Sequence, residues 1–185
     1  MERLLSLLLG VLVVLYPIAV YLGLSYWEPS HLGWLLLVLF SARLLLGRRL
    51  AITTSTRAIA FVGIAVAALS LLANSDLPFR FYPVAVNTLM LILFGLSLRH
   101  GPSFVERIAR LQDPDLPESG VRYTRRVTQI WCLFFMVNGS IALYTALYAS
   151  LEHWTLYNGL IAYGLMATLA AGEWIYRRLF IAHSS

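Results

Sequence analysis

The chain has 185 residues, of which 59% are hydrophobic and only 12% are charged, and its formal net charge is +5. A soluble domain carries roughly a quarter charged residues. The composition therefore excludes an ordinary water-facing fold and predicts an all-α integral membrane protein.

Six apolar runs approach or reach the roughly 20 residues that a membrane-spanning helix needs. We predict a single transmembrane domain over residues 1–185, with six spans. The spans are 4–24, 31–46, 50–73, 81–98, 130–150 and 154–179. The first run exceeds the usual core of a signal peptide and no A-x-A-type site follows it, so we interpret it as a retained span. Aromatic residues near the ends of the spans, Phe79, Tyr82 and Trp154 among them, are interpreted as interface anchors.

The basic residues set the predicted orientation. All 14 are arginines, and six spans would place 13 of them on one side and Arg80 alone on the other. The positive-inside rule assigns the arginine-rich side to the cytoplasm. Both termini and the connection 99–129, called the insert below, are therefore predicted to be cytoplasmic, in a bacterial inner membrane.

The first half of the insert predicts a short basic amphipathic helix. Pro102 suits a first helical turn, and Phe104, Ile108 and Leu111 follow at helical spacing. Glu106 and Arg110 are four residues apart and are expected to pair. Directly below a span, this helix is expected to lie along the lipid headgroups with its apolar face towards the membrane.

The second half of the insert begins with a helix break. Pro114 and Pro117 push the residues before them into extended conformations. Gly120 suits a turn, after which a new helix is expected to carry three arginines towards the membrane.

Five insert arginines exceed what orientation requires: Arg107, Arg110, Arg122, Arg125 and Arg126. One interpretation is contact with anionic lipid. The other is a docking surface for an acidic cytoplasmic protein or a phosphorylated lipid headgroup. Nucleic acid is not expected as a partner, because the arginines alternate with acids and prolines and no nucleic-acid-binding motif surrounds them.

Polar residues inside the predicted spans are few, and each suggests a role. Asn87 and Asn138 are expected to hydrogen-bond between helices. Glu173 is expected to pair with Arg177, and the alternatives are a buried pair with Arg43 or Arg57, or a proton relay.

Three small residues at four-residue spacing near the end of the chain predict a close helix contact, within the chain or in a homodimer. They are Gly164, Thr168 and Gly172.

Catalytic and cofactor motifs are missing from the sequence. It contains no G-x-S-x-G, H-E-x-x-H, Walker or G-x-G-x-x-G pattern. We therefore expect no catalytic residue, no metal site and no cofactor.

The second half of the chain resembles the YciB-type intracellular septation family of small bacterial inner-membrane proteins. The resemblance is carried by "LILFGLSLRHGPSFVERIARL", "WCLFFMVNGSIALY", "WTLYNGLIAYG" and "WIYRR". That family usually has five spans and more lysine, so the six predicted spans are a departure. The chain is more similar to a related group of predicted membrane proteins. These are encoded with acyl carrier protein, ketosynthase and acyltransferase genes for polyene-type or fatty-acid-like lipids.

The resemblance implies a non-enzymatic accessory in cell-envelope or lipid assembly. Its arginine-rich loop would recruit cytoplasmic partners, with an acyl carrier protein as the implied example. The alternative function is a small dimeric transporter or lipid flippase.

Overall fold

A computed structural model of the chain describes residues 16–47 and 54–177. These residues are helical with short connections and contain no strand, which confirms the all-α class for this part of the chain. Most of the first predicted span (4–15) and the start of the third (50–53) lie outside the described residues. So do four of the arginines that set the orientation: Arg3, Arg48, Arg49 and Arg178.

The described residues form nine α-helices and one π-helical turn. The first five helices are α1 Tyr16–Tyr26, α2 Pro29–Gly47, α3 Thr54–Ala73, α4 Leu77–Arg80 and α5 Tyr82–Arg99. The insert and the last predicted spans contain α6 Phe104–Ala109, α7 Glu118–Tyr148, α8 Leu151–Leu156 and α9 Ala162–Tyr176. The π turn Tyr157–Ile161 joins α8 to α9.

Two stretches of the described residues are long and apolar enough to cross a membrane. They are Leu77–Arg99, which joins α4 to α5, and Glu118–Tyr148, which is α7. Ser30–Ala42 and Arg57–Ala73 are shorter apolar helices. The described chain is therefore a helical protein with two candidate membrane-crossing helices.

Helix α7 differs from its prediction in where it begins. It starts at Glu118, inside the insert, and continues for 31 residues to Tyr148. Pro117 occupies the N-cap position, and an acidic residue in the first turn suits the positive end of the helix dipole. Gly120, expected in a turn, lies within the helix, where an added Cβ would come within 2.9 Å of the Leu116 side chain.

A buried cluster ties α1, α4, α7 and α8 together. Phe79 and Trp154 are fully buried. The Trp154 indole donates a hydrogen bond to the Arg80 carbonyl (3.0 Å), and the Tyr16 hydroxyl donates to the Phe79 carbonyl (3.1 Å). The Arg80 guanidinium donates to the Thr145 carbonyl (3.0 Å) and to the Ala149 carbonyl near the end of α7.

This burial corrects part of the interface-anchor interpretation. Phe79, Tyr82 and Trp154 belong to the protein core, because tertiary packing covers residues whose place in the sequence suggests a membrane boundary. Trp27 and Trp34, by contrast, are exposed.

The helices α5 and α7 pack against each other along much of their length. Phe94 of α5 meets Phe135 of α7 edge to face, with ring centroids 5.1 Å apart. Gly139 permits the close approach further along, since a Cβ there would lie 3.1 Å from the Asn87 Cβ. This helix pair positions the polar residues described next.

Candidate functional site

Helix α6 is anchored to the protein by its first turn. The Ser103 hydroxyl accepts from the Glu106 backbone N–H (3.4 Å), and the Glu106 carboxylate accepts from the Ser103 backbone N–H (3.2 Å), which forms a capping box. The Phe104 N–H donates to Ser97 of α5 (2.9 Å), and the Val105 N–H donates to Thr128 of α7 (3.3 Å). Side chains from both long helices thus satisfy backbone groups at the start of α6.

The predicted insert helix is therefore corrected in three respects. Pro102 precedes it, Ser103 caps it, and it ends at Ala109, before Leu111. Phe104 stacks on Phe94 with ring centroids 4.0 Å apart, so the beginning of its apolar face packs on protein. Ile108 and Leu111 remain exposed, by 52% and 85%.

Arg107 on α6 and Arg110, which directly follows its last residue, are both held by local contacts. Arg110 forms an ion pair with the buried carboxylate of Glu106 (2.9 Å) and donates to the Pro114 carbonyl (2.9 Å). Arg107 is exposed and donates to the Pro102 carbonyl (3.0 Å). Arg110 therefore helps to hold the insert in shape, while most of the charge presented by α6 comes from Arg107.

The second arginine group lies on one face of α7. Arg122, Arg125 and Arg126 are spaced at i, i+3 and i+4, and all three are exposed. Arg122 pairs with the exposed Glu118 (3.3 Å), and Arg125 donates to the Leu98 carbonyl near the end of α5 (2.9 Å). Arg126 makes no hydrogen bond or ion pair within residues 16–47 and 54–177.

Glu173 joins the start of α7 to the end of α9. Its carboxylate accepts a hydrogen bond from the Tyr123 hydroxyl (3.1 Å) and lies 3.8 Å from Arg177 Nε. The Tyr123 ring also stacks on Tyr176, with centroids 5.9 Å apart. Arg57 is exposed and forms no ion pair with Glu173, and the Arg43 side chain lies outside the described residues.

A cavity of about 350 Å³ opens between α6, α7 and α9. Its wall is largely apolar, with the Glu173–Arg177 pair at one side. Residues in the wall include Val105, Ile108, Leu116, Tyr123, Glu173 and Arg177.

The predicted interhelical asparagines meet each other. The Asn138 amide donates to Asn87 Oδ1 (3.0 Å), and the Asn87 amide donates to the Pro83 carbonyl (2.8 Å). Tyr157 donates its hydroxyl hydrogen to Asn138 Oδ1 (2.9 Å). The network therefore links α5 and α7 to the π turn, and no hydrogen bond within the described residues continues it to Glu173.

A third asparagine, Asn158, was missed by the sequence analysis. It lies in the π turn, where its amide donates to Thr145 Oγ1 (3.1 Å) and to the Trp154 carbonyl (2.9 Å). Only 4% of Asn158 is exposed. The sequence held one signal for it, since an asparagine followed by glycine inside an apolar run interrupts regular helix.

Asn87, Asn138 and Asn158 line a second cavity, of about 240 Å³. The rest of its wall is apolar or aromatic, and no charged residue of the described ranges lines it. We call this space the asparagine cavity.

The small-residue stripe on α9 faces away from the described part of the protein. Gly164 and Gly172 have no atom of the described chain within 4 Å of an added Cβ, and Thr168 is exposed, with its hydroxyl bonded to the Gly164 carbonyl (2.8 Å). The close helix contact predicted for this stripe is therefore not made by any of the residues described, and its partner stays a prediction.

Metal-ligating side chains do not gather within the described ranges. No group of three His, Cys, Asp or Glu residues there is close enough to hold a metal ion. Cys132 is a free, partly buried thiol.

No protein-family model matches the chain, and no curated protein or solved structure is significantly similar to it.

Proposed function

We propose that the chain is a polytopic, non-enzymatic accessory protein of the bacterial inner membrane, with six spans and both termini in the cytoplasm. It would recruit an acidic cytoplasmic protein to the membrane through the insert. The observation that carries this proposal is the arginine face of α7, on which Arg122, Arg125 and Arg126 are exposed together.

The anchoring of the insert supports this proposal. Its backbone is bonded to both long helices through Ser97 and Thr128, and Arg125 is bonded to the Leu98 carbonyl. A basic surface on a fixed support loses little conformational entropy when a partner binds, which favours docking. An acidic partner would also be steered towards such a surface by its charge.

The identity of the partner rests on the family resemblance. The related membrane proteins are encoded with acyl carrier protein genes, and an acyl carrier protein is acidic. The proposed role is therefore to hold such a carrier, and the enzymes that use it, beside the membrane during envelope or lipid assembly.

Binding of purified acyl carrier protein to the full chain in nanodiscs of uncharged lipid tests this proposal. Raising ionic strength from about 0.01 M to about 0.15 M shortens the screening length from roughly 30 to 8 Å, so binding should weaken. The double variant Arg122→Gln/Arg126→Gln spares the Arg125–Leu98 contact and should weaken binding about tenfold or more.

Glu118→Gln is the matched control. It removes the acidic partner of Arg122 and raises the net positive charge, so binding should be unchanged or tighter. Equal binding by wild type and the double variant would contradict the docking role. If the double variant instead loses affinity only for vesicles of anionic lipid, the arginines contact lipid and not a protein.

A further inference from the structure

The three asparagines that line the asparagine cavity come from three different helical segments. Asn87 lies on α5, Asn138 on α7 and Asn158 in the π turn. Each is more than nine-tenths buried, with exposures of 8%, 5% and 4%. Burying three amides costs free energy unless they find hydrogen-bond partners, so their convergence on one cavity calls for an explanation.

Some of the hydrogen-bond donors and acceptors of these three amides have no partner within the described chain. An asparagine side chain has two N–H donors and one carbonyl acceptor. Both N–H groups of Asn158 are engaged, but its Oδ1 accepts no hydrogen bond from the described residues. Asn87 and Asn138 each use one N–H, to the Pro83 carbonyl and to Asn87 Oδ1, so each retains a second donor.

The rest of the cavity wall indicates which kind of ligand the cavity could hold. It is apolar and aromatic and includes Ile59, Val86, Met90, Phe135, Tyr163 and Met166. Among the described residues no arginine or acid lines it, so a charged group inside would be buried without a counter-charge from them, which is costly. The occupant must therefore be uncharged.

We propose that the asparagine cavity binds an uncharged lipid-like molecule through a hydroxyl group, with its hydrocarbon part against the methionines and aromatic rings. A hydroxyl donates one hydrogen bond and accepts others, so it complements the free Asn158 carbonyl and the remaining amide donors. The volume of about 240 Å³ admits a headgroup and the start of a chain, and the rest of the chain would extend into the bilayer.

The position of the cavity along α7 agrees with a lipid-like occupant. Asn138 lies ten residues before the end of α7 at Tyr148, which corresponds to roughly 15 Å along the helix. The proposal rests on the membrane placement in the proposed function but not on the recruitment of a partner by the arginines.

Photolabelling of the full chain in lipid nanodiscs tests the site. Two probes share one diazirine-bearing tail: a monoacylglycerol, which has free hydroxyls, and a fatty-acid methyl ester, which has no hydrogen-bond donor. The monoacylglycerol should label the peptides with Met90 and Met166 about three- to tenfold more than the ester, the ratio expected from one net hydrogen bond. Unlabelled monoacylglycerol should compete with this labelling.

Ala162→Phe fills the cavity, because Ala162 lies in its wall and is only 7% exposed. This variant should lose the preferential labelling. Ala167→Phe is the matched control on the same helix at an exposed position, and it should label like wild type. If Ala162→Phe does not fold, Val86→Phe fills the same space from α5.

Three outcomes would overturn the inference. The first is equal labelling of the cavity by the two probes, and the second is labelling that survives Ala162→Phe. The third is a cavity that holds only water, in which case both probes label Leu133 and Val137 on the exposed side of α7 but not the cavity. Failure of both probes to label Leu133 and Val137 would contradict the membrane placement itself, so the two failures are distinguishable.

Discussion

Asn138 donates a side-chain hydrogen bond to Asn87 across the α5–α7 interface over 3.0 Å, and both residues are buried. The bond is flanked by Tyr157, which donates to Asn138, and by Gly139, which brings the two helices together. Polar pairing and close backbone approach therefore occur at the same level of the helix pair.

Asn138→Ala should destabilise the protein, because it removes two hydrogen bonds and leaves Asn87 Oδ1 and the Tyr157 hydroxyl without their partner. Interhelical bonds of this kind contribute about 0.6 kcal/mol and at most about 1.7, so the expected loss is roughly 1–2 kcal/mol. Reversible unfolding in detergent micelles measures it. Ser140→Ala, which alters an exposed hydroxyl bonded to its own helix, is the control and should be nearly neutral.

Gly139→Ala should also destabilise the protein, since the added Cβ would lie 3.1 Å from the Asn87 Cβ. Overpacking of this kind typically costs about 1–3 kcal/mol, of which the helix preference of alanine offsets roughly 0.5–1 kcal/mol. Gly95→Ala on α5 is the matched control, because a Cβ there meets no atom of the described residues within 4 Å. Alanine favours helix over glycine by roughly 0.5–1 kcal/mol, so Gly95→Ala should be neutral or stabilising. A similar loss from both variants would show that the close approach at Gly139 has no special role.

Glu173→Gln should lower stability by no more than about 1 kcal/mol, because the partly exposed pair with Arg177 is weak and a glutamine oxygen still accepts from Tyr123. Any growth or lipid phenotype of the wild-type gene should persist in this variant. Thermal melts and complementation at matched expression are the measurements. A lost phenotype with normal folding and expression would instead indicate a proton relay and favour a transporter.

The six-span proposal predicts that positions after Glu152 and at Ser185 lie on opposite sides of the membrane. Paired reporter fusions, one active only in the cytoplasm and one only outside it, measure this directly. A third fusion in the insert, after Asp113, should report the same side as Ser185. If the fusions after Glu152 and at Ser185 report the same side of the membrane, the chain does not have six spans.

The sequence was informative at several places where the physical cause is composition or local spacing. Composition indicated the all-α class, and four-residue spacing indicated the Glu106–Arg110 and Glu173–Arg177 pairs, which the structure contains. The prolines at 114 and 117 predicted a helix break, and residues 113–117 lie outside any helix, although α6 already ends at Ala109.

Features that depend on distant parts of the chain were not predictable. Trp154 is buried in a cluster that includes Phe79, and its indole donates to the Arg80 carbonyl 74 residues away. Phe104 was expected to face the membrane, but its ring stacks on the ring of Phe94 and so packs on protein. Asn158 has its role only because the π turn places it beside Thr145, and hydropathy alone does not indicate such a turn.

The π turn at Tyr157–Ile161 also changes the direction around the helix axis in which every following residue of α9 points. A π turn closes its hydrogen bond over five residues where an α turn uses four, so it inserts one residue and offsets the following helix by about 100°. A helical wheel drawn straight through from Trp154 to Tyr176 therefore assigns α9 to the wrong face. Deleting one residue within the turn would restore a regular α-helix and rotate the Gly164–Gly172 stripe by nearly a third of a revolution.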